Sequence, residues 1–310
     1  MVPNPSMPVQ EFDTYFPLDV LSDRSVYLHV KIGSPRSGPS AVVQGEIMGG
    51  VIGLYRHGAL IRNFVKRDLQ ARYKGSAIGL FWSVLHPLVM LVLYTYIFSA
   101  ILRVRVGAAE GTGSFAIYLF CGLLPWNAFA EGVNRSTSVV LEHANLIKRT
   151  VFPSEVLPIY PVVSGIFNQL IGLGILIVAL VVTAHPIRPL ILLLPAILLL
   201  QFALTAGLAW IVAGITVFVR DLGQIVGMVM TIWLFLTPIF YPPTLIPEGL
   251  RFLLATNPMY ALVEAYRFLI LKGEMPPGGS LAVLVFVALP IFLLGYLVFT
   301  RLQGAFADVI

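Results

Sequence analysis

The chain has 310 residues, of which 58% are hydrophobic and only 11% are charged, and its formal net charge is +5. A soluble domain carries roughly 25% charged residues, so this composition excludes a soluble domain. Together with a mean hydropathy of +0.88, it indicates a polytopic membrane protein. The positive charge does not indicate nucleic-acid binding, because most basic residues flank apolar runs, where lipid headgroups and topology account for them.

The first 50 residues are polar, contain several prolines and lack an apolar core of signal-peptide length, so they are not predicted to be a cleaved export signal. Apolar and polar residues alternate from Val26 to Ile32, which is typical of one short strand, half of a hairpin closed near residues 33–38. We interpret residues 1–50 as a cytoplasmic amino-terminal extension, with a loosely ordered tail favoured over an element that docks on a partner.

Residues 51–76 are predicted to form an amphipathic helix on the membrane surface. Ile61, Val65, Leu69 and Tyr73 recur at every fourth position, which is the spacing of one face of a helix. Clustered cations on the remaining surface suit a pyrophosphate-linked lipid headgroup, and they suit adhesion to anionic lipids and positive-inside topology as well. These candidate headgroup residues are Arg62, Lys66, Arg67, Arg72 and Lys74.

Residues 77–310 are predicted to form an all-α integral membrane domain, because six uncharged runs are long enough for the roughly 20 residues that cross a bilayer. The runs cover residues 77–102, 111–130, 156–187, 189–219, 222–247 and 275–300. Between the fifth and sixth, the apolar stretch 252–263 has only 12 residues, which is too short to cross. We therefore expect short re-entrant helices over about residues 247–273, dipping into one membrane face.

The basic residues that flank the predicted spans number eleven on the amino-terminal side of the membrane and six on the other, so both termini are predicted to be cytoplasmic. This orientation places the polar segment between the second and third spans inside. A helix over about residues 139–150, parallel to the membrane, would transmit motion from a soluble partner to both attached spans. An ordinary amphipathic loop fits the same periodicity equally well.

Six motifs follow one another along the chain: RDLQARYKGSAIGLFWSVLHPLVMLVLYTYIF, GLLPWNAFAEGV, NLIKRTVFPSEVLPI, VFVRDLGQIV, LFLTPIFYPP and NPMYALVEAYRFLI. Their order and spacing resemble the membrane subunits of ABC-2 type polysaccharide exporters, a family that handles O-antigen, capsule, teichoic-acid and related glycan chains. The resemblance covers about residues 54–310, and the amino-terminal extension falls outside it.

The resemblance implies a homodimer of this chain with two copies of a separate ATPase, exporting a lipid-linked polysaccharide across the inner (cytoplasmic) membrane of a prokaryote. It implies that the amphipathic helix lies near the site where the substrate enters. It also implies that the segment of about residues 139–150 is a coupling helix that docks on the ATPase, and that the short helices of about residues 247–273 form an outer gate.

Groups of residues that catalyse reactions or bind metals are scarce in the sequence. It contains no phosphate-binding G-x-x-x-x-G-K-S/T loop, and its five histidines and single cysteine, Cys121, show no metal-ligand spacing. We therefore expect a chain that is not an enzyme and binds no cofactor or metal itself, with ATP and Mg²⁺ bound by the partner ATPase.

Aromatic residues in the first and fifth predicted spans offer flat faces along which sugar rings could slide by stacking. Packing and interfacial anchoring are the alternative roles of aromatic residues in membrane helices. The candidates for a polysaccharide path are Tyr94, Tyr96, Phe98, Trp233, Phe235, Phe240 and Tyr241.

Two further groups of polar residues are candidates for contact with the ATPase and for the outer gate. The residues expected to face the ATPase, with a solvated face as the alternative, are Glu142, His143, Asn145 and Lys148. Glu264 and Arg267 stand three apart on one predicted helix face, where we expect them to pair, either as part of the outer gate or as a structural ion pair.

Two other functions stay open at the level of sequence. A membrane glycosyltransferase acting on polyprenyl-linked sugars would need a carboxylate-based metal or base site near a membrane face, which the sparse acidic residues disfavour. An ABC-2 exporter of small hydrophobic compounds is the second alternative. The TPIFYPP and NPMY motifs favour the glycan branch, through resemblance alone.

Overall fold

The computed structural model describes residues 57–72, 74, 81–94, 96–97, 114–149, 152–186 and 188–310. These residues form helices and the turns between them, and no strand occurs among them, which confirms the all-helical class. The strand predicted near residue 26, both ends of the first predicted span and Phe98 lie outside the described residues. All the described residues belong to one compact unit, Gly45–Ile310.

The helices follow one another along the chain with short connections. They are α1 (Gly58–Arg72), α2 (Trp82–Tyr94), α3 (Ser114–Ser136), α4 (Val139–Glu142), α5 (Ala144–Arg149), α6 (Ile159–Val182), α7 (Leu194–Thr216), α8 (Leu222–Leu236), α9 (Arg251–Thr256), α10 (Pro258–Arg267), α11 (Gly278–Gln303) and α12 (Phe306–Val309). Turns of 3₁₀ helix occur at Ser154–Val156, Pro189–Leu193, Pro243–Leu245 and Glu248–Leu250, and α10 continues into a π-helical turn at Phe268–Lys272.

Four helical segments in the described part of the chain are long and apolar enough to cross a membrane. They are Phe115–Ser136, Ser154–Val182, Pro189–Thr216 and Gly278–Gln303. Helices α2 and α8 are apolar but shorter, with 13 and 15 residues. The structure therefore confirms a helical, multi-pass membrane protein, whereas the count of six spans and the re-entrant path of α9 and α10 stay predictions.

Helix α3 is the most buried of the four long segments and forms the centre of the bundle. Its Phe129 belongs to the main hydrophobic core, which also contains Tyr266 of α10. A second core around Trp210 of α7 extends to Val65 and Leu69, the two buried residues of α1. Helix α1 thus rests on the bundle through the face that its periodicity predicts.

Helices α7 and α11 cross in direct backbone contact at two glycines. A Cβ atom on Gly207 would overlap the carbonyl of Ile291 and lie 2.7 Å from the Cα atom of Phe292. A Cβ atom on Gly295 would overlap the carbonyl of Gly207. Two helix backbones approach this closely only where neither carries a side chain, so these glycines set the distance between α7 and α11.

Three polar side chains from α6, α7 and α10 form a buried network in the bundle. The amide of Gln169 donates to Gln201 Oε1 (3.0 Å) and to the Tyr266 hydroxyl (2.8 Å). The amide of Gln201 donates to Gln169 Oε1 (2.7 Å) and to the Pro125 carbonyl (3.2 Å), and the Tyr266 hydroxyl donates to Gln201 Oε1 (2.8 Å). All donor hydrogens of the three side chains are paired, which buried polar groups require.

Candidate functional site

Four charged side chains join α1 to the carboxyl-terminal half of α3, and we call Asp68, Arg72, Glu131 and Arg135 the charge ring. Both nitrogens of the Arg135 fork donate to Asp68, with a distance of 2.9 Å from Nη1 to Oδ2. Arg72 Nη2 lies 3.0 Å from Asp68 Oδ2 and is also paired with Glu131, and Arg135 Nη1 lies 3.6 Å from Glu131 Oε1. On each helix an acid precedes an arginine by four residues, which places both on one face.

Asp68 is the most buried member of the charge ring, with a side chain that is only 9% exposed, whereas the other three side chains are partly exposed. Burial alone would raise the pKa of Asp68, but the hydrogen bond from Arg135 and the charges of Arg72 and Arg135 outweigh it, so the pKa lies below the ordinary 3.8. A lowered folded-state pKa stabilises the fold above the unfolded value, and this contribution is lost as the pH falls through the folded value. At neutral pH the Asp68 carboxyl is therefore ionised.

The cations predicted on the membrane-surface helix have two different environments. Arg72 is partly buried and belongs to the charge ring, so its charge is compensated within the protein. The others are exposed and, among the described residues, make no ion pair: Arg62, Lys66, Arg67 and Lys74. These four are available to an anionic headgroup, and their role stays a prediction.

A cavity of about 620 Å³ lies between α1 and the two short helices α4 and α5. Arg67 and Asp68 of α1 line one side, and Glu142, His143 and Arg149 line the other. The structure thus brings a residue predicted to meet the substrate headgroup close to residues predicted to meet the ATPase.

The segment 139–149 is a pair of short helices in which the predicted residues differ in exposure. Glu142, Asn145 and Lys148 are exposed, and Glu142 accepts a 2.6 Å hydrogen bond from Ser138. The ring of His143 is half-buried and lies edge-on to Phe64 of α1, with 5.7 Å between the centroids. His143 therefore contributes to internal packing, whereas the other three expose polar groups on the surface, and their contact with an ATPase stays a prediction.

The aromatic residues of the predicted path divide in the same way. Trp233 is partly buried, meets Phe129 edge-on with 5.4 Å between the ring centroids, and donates its indole N–H to Asn257 (3.0 Å). Tyr94, Phe240 and Tyr241 are also partly buried, and Phe240 stacks on Phe235. Tyr96 and Phe235 are 61% and 60% exposed. Only these last two present a mostly open ring in the described part of the path.

Asn257, the first residue of the NPMY motif, caps α10 and joins it to α8. Its Oδ1 accepts hydrogen bonds from the backbone N–H groups of Met259 (2.9 Å) and Tyr260 (3.3 Å), as well as from Trp233. Its Nδ2 donates to Thr237 Oγ1 (3.1 Å), within the TPIFYPP motif. Two of the motifs that carry the family resemblance are therefore bonded to each other.

Replacing Asn257 by alanine removes one acceptor shared by three donors, so we expect a loss of about 2 kcal/mol in the free energy of unfolding. Asn257→Asp keeps the acceptor and should cost less. Thermal unfolding of the purified protein in detergent measures both changes. Equal midpoints for Asn257→Ala and the wild type would contradict this role of the side chain.

Arg267 is buried, with 2% of its surface exposed, and the partners to which its side chain donates hydrogen bonds are backbone carbonyls, so its pairing with Glu264 stays a prediction. Its Nη1 and Nη2 donate to the carbonyls of Pro238 and Ile239, both at 2.9 Å, and its guanidinium lies 3.6 Å from the ring centroid of Tyr118. A single arginine therefore connects α10 to α3 and to the turn after α8. The predicted part of Glu264 and Arg267 in an outer gate is untested.

Asp68, Glu131 and Arg135 are not among the site residues predicted from the sequence. The sequence does carry one signal for them: each of the two predicted helices has an acidic residue followed four residues later by an arginine. Within the residues that the structure describes, no three His, Cys, Asp or Glu side chains come together as metal ligands.

The sequence of the helical bundle matches a known class of transporters. The sequence profile of the ABC-2 type transporter family matches residues 59–271, more than half of the chain, and the chain belongs to that family. The resemblance seen in the motifs is thereby confirmed.

Among its relatives is the O-antigen export system permease protein RfbA of Myxococcus xanthus, which is 31% identical over 257 residues, 82% of this chain and 96% of the relative. A protein of the same name from Klebsiella pneumoniae is 29% identical over 245 residues, 79% of this chain and 92% of the relative. The polysialic acid transport protein KpsM of Escherichia coli is 23% identical over 246 residues, 77% of this chain and 92% of the relative.

Proposed function

We propose that this chain is the membrane-spanning permease subunit of an ATP-driven exporter that moves lipid-linked polysaccharide across the cytoplasmic membrane. The observation that carries the proposal is the similarity to O-antigen export permeases, at 29–31% identity over 92–96% of their length. The polysialic acid transport protein is also named for a glycan. These relatives favour export of a polysaccharide over the glycosyltransferase and small-molecule alternatives.

In this proposal two copies of the chain form a homodimer that binds two copies of a separate ATPase, with both termini cytoplasmic. Closure of the ATPases around ATP pushes the segment 139–149, whose exposed Glu142, Asn145 and Lys148 are available for that contact. The push tilts the attached helices and opens a path for the glycan. This chain supplies the path and receives the motion, and the nucleotide chemistry belongs to the partner.

The exposed groups of α1 and α8 support the handling of an anionic glycolipid. Arg62, Lys66 and Arg67 present cations at the level of the lipid headgroups, where a diphosphate would bind. The open ring of Phe235 suits stacking with sugars as they pass. In this proposal α9 and α10 form the outer gate, with α10 fixed through Arg267.

Deletion of the gene tests the proposal through the location and length of the polymer. We expect finished, full-length polysaccharide to accumulate inside the cell and the surface polymer to disappear, because synthesis continues without export. A strain lacking the partner ATPase should show the same pattern, and the wild-type gene should restore the surface polymer. Accumulation of short precursors would instead indicate a transferase, and an unchanged surface polymer would contradict both functions.

A further inference from the structure

The charge ring lies at the end of α3 that leads directly into the segment 139–149. Only Thr137 and Ser138 separate α3 from α4. This helix end is held together by side-chain bonds, since Ser136 Oγ donates to the Gly132 carbonyl and Thr137 Oγ1 to the Asn134 carbonyl, both at 2.7 Å. A displacement of the segment is therefore transmitted to Arg135 at the end of α3.

Direct contact between α1 and the same segment is apolar and borders an open cavity of about 620 Å³. Phe64 of α1 lies edge-on to His143, with 5.7 Å between the ring centroids, and both rings pack on Tyr160 of α6. Val65 and Leu69 also share an apolar core with the segment. Two links therefore connect α1 to the segment, and the charge ring adds the directional bonds that apolar packing lacks.

We infer that the charge ring makes α1 move together with the segment 139–149, so that motion received from the ATPase reaches the helix that meets the substrate headgroup. This inference rests on the proposed function. Asp68 and Arg135 are then positioning residues: they touch neither glycan nor nucleotide, and they act by holding α1 to α3.

The geometry of the ring suits the transmission of motion. A carboxylate held by both nitrogens of one arginine is fixed in angle as well as in distance. The 9% exposure of Asp68 means that salt screens the pair less than it screens a surface ion pair. Apolar packing also anchors α1, through the buried Val65 and Leu69 and through Phe64 stacked on Tyr160. Such packing is non-directional, so the bonds of the ring are what fix the orientation of α1 on the bundle.

The alternation of charge in the ring allows a test that keeps the net charge constant. An α1 inversion, Asp68→Arg with Arg72→Asp, retains the acid–base pair within α1 but places like charges opposite each other between the helices. An α3 inversion, Glu131→Arg with Arg135→Glu, likewise keeps the acid–base pair within α3 and places like charges opposite each other between the two helices. The combined four-residue inversion restores every attractive pair with reversed sign.

The experiment uses the complete complex of permease and ATPase, reconstituted in lipid vesicles with the lipid-linked glycan. We expect each single-helix inversion to reduce export at least about tenfold while ATP hydrolysis stays within about twofold of the wild type, since coupling between sites is typically worth 5–150-fold. The combined inversion should recover most of the export. A purely stabilising role would instead lower the amount of complex, hydrolysis and export together.

Three results would overturn the inference: full export by either single-helix inversion, a parallel fall of hydrolysis and export, or a folded combined inversion that does not recover. If the inverted chains fail to reach the membrane, Asp68→Asn replaces them, since it removes one charge at nearly constant shape. Reduced export with normal hydrolysis then supports the inference, and unchanged export overturns it. A wild-type complex that hydrolyses ATP without moving glycan would refute the proposed function instead.

Discussion

Replacing Gly207 by leucine is expected to prevent the protein from reaching its folded state. The new Cβ atom would overlap the backbone of α11 at Ile291 and Phe292, and backbone atoms of a packed helix cannot move aside as the end of a flexible side chain can. Helices α7 and α11 would have to separate along their shared face. Overpacking of a core usually costs about 1–3 kcal/mol, and because backbone is displaced here we expect more than about 3 kcal/mol.

The matched control is Gly174→Leu on α6, because a Cβ atom at that position meets nothing within 4 Å. Both changes add the same side chain to a glycine in a long apolar helix. The yield of monodisperse protein in detergent and its thermal midpoint measure the difference. If Gly207→Leu and Gly174→Leu give the same yield and the same thermal midpoint, Gly207 does not set the distance between α7 and α11.

Replacing Arg267 by methionine is expected to lower the free energy of unfolding by about 2–4 kcal/mol. Methionine fills a similar volume, but it leaves the carbonyls of Pro238 and Ile239 buried without a donor, and each unsatisfied group costs about 1–3 kcal/mol. Removing a buried charge recovers part of that cost. The substitution still lowers the free energy of unfolding, because the two carbonyls belong to the backbone and cannot be removed together with the arginine.

Two further variants make the role of Arg267 specific. Arg267→Lys keeps the charge but lacks the planar fork that spans two carbonyls, so its loss of stability should be intermediate. Arg251→Met serves as the control, since the side chain of Arg251 is 56% exposed and its only recorded partner among the described residues is Glu248 at 3.4 Å. A thermal midpoint for Arg267→Met equal to that of Arg251→Met would show that the carbonyl bonds contribute nothing.

Features that depend on neighbouring residues in the chain could be predicted from the sequence. The four-residue recurrence of apolar side chains placed Val65 and Leu69 on one face of α1, and the structure shows that this face packs on the bundle. Uninterrupted apolar runs identified the long helices, because a membrane-crossing helix needs about 20 such residues. The motifs identified the family, but they did not reveal that Asn257 and Thr237 bond to each other across 20 residues.

Features that depend on the packing of distant helices could not be predicted. Asp68 and Arg135 are 67 residues apart, and only the packing of α1 on the bundle brings them together. The predicted pair of Glu264 and Arg267 relied on their spacing along one helix. Arg267 donates its hydrogen bonds to backbone carbonyls, which every residue possesses, so no residue type in the sequence marks them.

The closed network of Gln169, Gln201 and Tyr266 has a consequence for the route of any hydrophilic cargo. Every N–H and O–H of these three side chains is already taken, and they leave no spare donor for a water molecule or a sugar hydroxyl at the heart of the subunit. A wet channel through that region would have to break several of these bonds at once. We therefore expect the glycan of the proposed function to bypass these three side chains, which in the proposed homodimer leaves the surface between the two copies as its route.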